Sequence, residues 1–162
     1  MTIMGIDPGF ARVGWAIIYE LKSKLTPIAY GCIETDKTLP TDQRLLVVFT
    51  RLTALITTYS PDCVAIEALF FATNAKTAMA VGEARGVILL AAAKKKLPVV
   101  SYTPLTVKRT ITGDGKADKG QVELMVKRTL YLKHIPKPDD AADALAIAMT
   151  HAYSYKLQRM TA

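Results

Sequence analysis

Thr2-Ile3-Met4-Gly5-Ile6-Asp7-Pro8-Gly9 is the stretch on which the reading of this chain turns. A short apolar run ends in a carboxylate, and Pro-Gly follows at once. Asp is depleted in strands, and an unpaired buried charge is expensive, so an acid placed where a buried strand ends is usually needed there. Pro8-Gly9 turns the chain and leaves the carboxylate at the rim of a sheet. Asp-Pro-Gly is also a common turn sequence, so taken alone Asp7 is explained as well by capping the turn as by chemistry. Its meaning depends on which other acids the fold brings to it.

Working outward, the first third reads as three strands, Thr2 to Ile6, Val13 to Tyr19 and Pro27 to Ile33, joined by short turns as an antiparallel meander. From Thr41 to Tyr59 the period changes: Leu45, Val48, Phe49, Leu52, Leu55 and Ile56 fall on one face of a helix. Cys63-Val64-Ala65-Ile66 is a short buried strand that, like the first, ends in an acid, Glu67. A long helix from Asn74 to Lys96 carries Gly82 and Gly86 four apart, a spacing that admits close approach of another helix. Pro98 stops it, and Val99 to Tyr102 is a further strand. A helix from near Pro104 ends at Gly113, and the polar, glycine-rich stretch Gly113 to Asp118 reads as mobile. Val122, Met125, Val126, Thr129 and Leu130 trace another helical stripe, and a last helix runs from Asp139 to about Tyr155. This order predicts an α/β fold, a mixed sheet with helices packed on its faces.

The 162 residues suit one compact domain, and 51% hydrophobic content excludes a disordered chain. No apolar run approaches a membrane span, and Met1 leads straight into the first strand without a signal-peptide plan. A cytoplasmic protein is therefore expected. The only cysteines, Cys32 and Cys63, lie in apolar strand-like stretches and read as reduced core residues, neither a disulfide nor a metal pair. The net charge is +7, which favours an anionic partner such as a phosphate backbone. The surplus falls in the second half, on Lys94-Lys95-Lys96, Lys108-Arg109, Lys116, Lys119, Lys127-Arg128, Lys133 and Lys137.

If the first and fourth strands are parallel neighbours, Asp7 and Glu67 meet, because adjacent strands lie roughly 5 Å apart. Asp140 and Asp143 are three apart and share a helix face, with alanines between them that let the helix lie close to the sheet. Each helical acid alone suits a first turn, and Asp139 reads as no more than that. Four converging carboxylates would repel one another and raise their own pKa values. Hard divalent cations relieve that repulsion, and no His/Cys cluster argues for zinc. Two such ions about 4 Å apart clamp the attacking water and the leaving oxygen of a phosphodiester. Acids of this kind on a basic chain point to a metal-dependent nuclease.

At these residues the sequence closely resembles the RuvC Holliday junction resolvases of bacteria, over essentially its whole length. The resemblance is carried by Gly5-Ile6-Asp7-Pro8-Gly9, by Ile66-Glu67 with Phe70 and Asn74, by Gly82-Glu83-Ala84-Arg85-Gly86, and by Asp140-Ala141-Ala142-Asp143-Ala144-Leu145-Ala146. It implies an RNase H-like fold with a mixed five-stranded sheet, a homodimer, and an endonuclease that resolves four-way DNA junctions with Mg²⁺ or Mn²⁺. The family's metal-binding acids map onto Asp7, Glu67, Asp140 and Asp143. Its junction-wedging aromatic maps onto Phe70, and two lysines near the DNA backbone onto Lys108 and Lys119. A cation at a helix start is unfavourable for the dipole, which favours a phosphate contact for Lys119. The resemblance also implies a branch-migration partner of the RuvA/RuvB type. His134 and His151 are assigned no role.

The expected mechanism is two-metal hydrolysis, with Asp7 as the bridging ligand and Lys119 adding charge stabilisation. A two-fold dimer facing a two-fold junction gives paired cuts on opposite strands. Two other readings compete: a different RNase H-like nuclease acting on RNA intermediates, and a junction-binding protein that does not cut. An actin-like ATPase is disfavoured because 162 residues cannot hold its two lobes.

Overall fold

The alternation of Ile3, Gly5 and Asp7 with Met4 and Ile6 becomes two faces of one sheet in the computed structural model, which describes residues 1–68 and 75–161. The strands are β1 (Thr2–Asp7), β2 (Arg12–Leu21), β3 (Lys24–Glu34), β4 (Cys63–Glu67) and β5 (Val99–Tyr102). Their spatial order is β3-β2-β1-β4-β5. The first three form the expected antiparallel meander, and β4 and β5 add in parallel on the other side of β1.

The helices are α1 (Thr41–Tyr59), α2 (Ala75–Lys94), α3 (Pro104–Thr112), α4 (Lys119–Thr129) and α5 (Asp139–Thr161). On one face α1 sets Val48, Leu52 and Ile56 against Met4, Ile6, Ile17, Val64 and Ile66, and α2 adds Ile88, Ala91 and Ala92. On the other face α3, α4 and α5 cover Ile3, Ala16, Ile18, Cys63 and Ala65. Here α5 lies almost on the sheet. A Cβ on Gly5 would strike the Ala144 carbonyl oxygen, and one on Gly14 would strike that of Asp140. Two strand glycines thus set the height of the final helix, together with the alanines on the helix itself.

Three local features differ from the sequence reading, one being the final helix, which runs to Thr161 and not to about Tyr155. The β2–β3 hairpin is longer than expected because Lys22 and Ser23 both take left-handed φ, +50° and +70°, and close it as a two-residue turn. Pro27 is accommodated because β3 is an edge strand. The stretch Gly113 to Asp118, expected to be mobile, is tied by hydrogen bonds. The Lys116 N–H donates to the Asp114 carboxylate at 2.8 Å, Ala117 is buried, and Asp118 forms a reciprocal cap with Gln121 that starts α4. The limits of α3 fall as read: Thr103 caps its start by accepting from the Thr106 N–H, Pro104 opens it, and Gly113 closes it at φ +83°.

Candidate active site

The parallel register of β1 and β4 pairs Ile3 with Cys63 and Ile6 with Ile66. The next residue on each strand is an acid, so Asp7 and Glu67 leave the sheet side by side, on the face that α5 covers. The start of α5 rests on Gly14 and brings Asp140 and Asp143 to the same rim. Asp7, Glu67 and Asp143 line one cavity of about 270 Å³, together with Lys108 from α3 and Lys119 from the start of α4. The expected parallel neighbourhood of the first and fourth strands therefore holds, and three of the four acids face one space.

The electrostatics show how closely the acids stand. Burial pushes the Asp7 carboxyl up to about 8, and Glu67, Asp143 and Asp140 add to the rise. Burial, then Asp143, pushes Glu67 up to about 7. Asp143 is also raised, chiefly by burial. Lys119 opposes all three shifts.

Two cations hold the helical acids. The Lys119 ammonium donates to Asp139 at 2.6 Å and stands 3.0 Å from Asp143, and this pairing holds its own pKa up although burial works against it. The Arg12 guanidinium, from the first residue of β2, lies 3.2 Å from Asp140 and 3.9 Å from Asp139. Asp139, read from sequence as an ordinary first-turn residue, is thus the acid that both cations share, and Lys119 holds its pKa below the usual range. Arg12 and the shared role of Asp139 were missed, and no pattern in the sequence marked either of them.

The donor set is all oxygen, which fits a hard divalent cation. Among the described residues the buried Asp140 Oδ2 oxygen makes no hydrogen bond despite its ion-pair distance from Arg12, and burial with the neighbouring acids lifts Asp7 to about 8 although Lys119 opposes the rise. Both are properties of a site short of positive charge. Among the described residues no three acids are already gathered around one point, because Asp140 and Asp143 are turned to Arg12 and Lys119. Phe70 and Asn74 lie outside the described residues. Lys108 is half-buried on the cavity wall, while Arg109 faces solvent. His151 is a packing residue: its Nδ1 meets the Tyr102 hydroxyl at 2.9 Å in the core.

A mixed sheet of this order, with acids at the ends of its two central parallel strands and at the head of the last helix, has the RNase H-like form shared by junction resolvases. The structure of Thermus thermophilus RuvC in complex with Holliday junction substrate matches with a TM-score of 0.93 at 34% identity, over 98% of this chain and 96% of that one. The yeast mitochondrial Holliday junction resolvase, at 14% identity and a TM-score of 0.66, shares the fold. Residues 3–151 match the family model for crossover junction endodeoxyribonuclease RuvC. Crossover junction endodeoxyribonucleases RuvC of Desulforamulus reducens and Halothermothrix orenii are 52% and 50% identical. The first match covers 94% of this chain and 93% of the relative, the second 98% and 96%. The chain belongs to the RuvC family of crossover junction endodeoxyribonucleases.

Proposed function

We propose that this chain is a structure-specific endonuclease that resolves four-way (Holliday) DNA junctions by paired, metal-dependent phosphodiester hydrolysis in recombination and repair. The observation that carries the reading is the cavity in which Asp7, Glu67 and Asp143 face Lys108 and Lys119, on a chain of net charge +7. The T. thermophilus relative, described in complex with a Holliday junction, supports the substrate. All 162 residues are read as one nuclease domain working in the cytoplasm. Among the described residues no helix is long and apolar enough to cross a membrane.

Asp7, Glu67, Asp140 and Asp143 would hold Mg²⁺, with Mn²⁺ as a substitute and two ions in each site. When bound, these ions supply activation of the attacking water and neutralisation of the leaving oxygen. The chain's own residues do the rest. The acids lose the protons that burial and mutual repulsion keep on Asp7 and Glu67. Lys119, freed from Asp143 but still against Asp139, turns its charge to the scissile phosphate. Lys108, which lines the same cavity, binds a neighbouring phosphate oxygen. Phe70 is read as the wedge that unstacks bases at the junction centre.

A homodimer supplies two such sites. In support, Met79, Gly86 and Leu90 make an exposed face on α2, and a Cβ on Gly86 would meet nothing within 4 Å among the described residues. A RuvA/RuvB-type branch-migration complex is the proposed further partner. The test is a synthetic four-way junction beside a linear duplex of the same sequence, each with Mg²⁺. Paired nicks in opposite strands of the junction, with the duplex intact, are expected. Junction binding without nicks, by folded and metal-loaded protein, would overturn the nuclease reading in favour of a binding module.

A further inference from the structure

The cavity leaves one strongly charged part of the chain unused. From Leu124 to Pro138 the sequence carries Lys127, Arg128, Lys133, His134 and Lys137 and no acid. Arg128, Lys133, His134 and Lys137 are exposed, and none of this group forms an ion pair among the described residues. In their midst Tyr131 is 91% exposed, the highest value of any large hydrophobic residue described.

The backbone holds this tyrosine out. Leu130 is buried on one side, and Leu132 packs against the core on the other. Tyr131 itself sits at φ +53°, the left-handed position that commonly closes a helix C-terminus and that glycine usually fills. Its N–H donates to the Arg128 carbonyl at 3.2 Å, and the Leu132 N–H donates to the Lys127 carbonyl at 2.9 Å. Pro136 is buried further on. An aromatic ring is thus presented to water among cations on an anchored turn, an arrangement that suits the backbone of a DNA arm, whose phosphates take the charges and whose sugars take the ring.

Position selects the same partner. Site residues flank this segment in sequence: α4, which leads into it, begins at Lys119, and the connector after α4 runs into Asp139. Eleven residues of α4 span roughly 16 Å at 1.5 Å per residue. Phosphates follow each other every ~3.4 Å along a strand, so about five base pairs of a duplex running along α4 from Lys119 would cover that span.

We propose that Arg128, Tyr131, Lys133 and Lys137 form a second DNA contact, which grips a junction arm away from the cut. The inference rests on the reading of the site as DNA-cleaving. The test measures junction binding by fluorescence anisotropy across a salt series, in Ca²⁺ to prevent cutting. Lys133→Gln/Lys137→Gln should flatten the slope of log affinity against log salt by about two. Tyr131→Ala should weaken binding about fivefold or more at every salt concentration, with the slope unchanged. Cleavage at saturating junction should match wild type in both. Lys22→Gln/Lys24→Gln removes the same charge from the β2–β3 hairpin, which is no part of the proposed contact, and should leave the slope alone. An equal flattening in that control, or wild-type binding by either patch variant, overturns the proposal. Failure of wild-type protein to nick the junction in Mg²⁺ would instead refute the nuclease reading, and it is scored separately.

Discussion

The two faces of the sheet are packed on opposite principles. Under α1 and α2 the strands present Met4, Ile6, Ile17, Val64 and Ile66, large side chains that hold the helices off. Under α5 they present Gly5, Gly14, Ala16 and Ala65, and the helix backbone comes down onto the strands. The first face generates stability through volume. The second gives up volume for proximity, and every proposed metal ligand stands at its rim. A helix held at ordinary distance would leave Asp140 and Asp143 farther from Asp7 and Glu67. The small residues therefore belong to the proposed site, because they set where its acids stand.

The largest expected effect separates the rim from everything else. Asp7→Asn should lower junction cleavage by at least about a hundredfold while junction binding survives, read by nicking and anisotropy on one preparation. Leu52→Ala, on the voluminous face, should do the opposite. It should cost about 2–5 kcal/mol of stability by denaturant unfolding, with cleavage per folded molecule unchanged.

The rim should also betray itself through pH. Asp7 lies near 8 in the folded chain against an ordinary 3.8, and Glu67 near 7 against 4.5. The folded state then binds more protons than the unfolded one between about pH 4 and 8. The stability of metal-free protein should fall as pH rises through that window and level off above it. Thermal unfolding in EDTA checks this, and Asp7→Asn should flatten the curve. Gly14→Ala should cost about 1–3 kcal/mol by pushing on the Asp140 backbone, and it should slow cleavage as well. Asp118→Ala, which removes the cap of α4, should cost about 1 kcal/mol with a modest loss of rate.

Much of this was legible in the sequence, for physical reasons. Strand alternation and acid-tipped ends placed Asp7 and Glu67 correctly, because register and face follow from a period of two. The limits of α3 followed from Pro104 and Gly113, whose backbone preferences are strong. The hairpin turn was not legible, because Lys22-Ser23 lacks the Asn-Gly chemistry that normally marks left-handed pairs. The Arg12–Asp140 and Lys119–Asp139 pairs were hidden for another reason. They join residues 128 and 20 positions apart in sequence, and ion pairing has no periodicity. The glycines did carry a signal, since a glycine inside a strand often marks close backbone approach.

The central claim is that the acids on the tight face form a divalent-ion site, and it can be measured without DNA. Mn²⁺ titration calorimetry of the wild-type protein at pH 7, in buffers of different ionisation enthalpy, should show binding coupled to proton release, as the ion displaces protons from Asp7 and Glu67. Asp7→Asn should lose most of the affinity and most of the release. Binding that releases no protons, or that is as tight in Asp7→Asn as in wild type, would contradict the account.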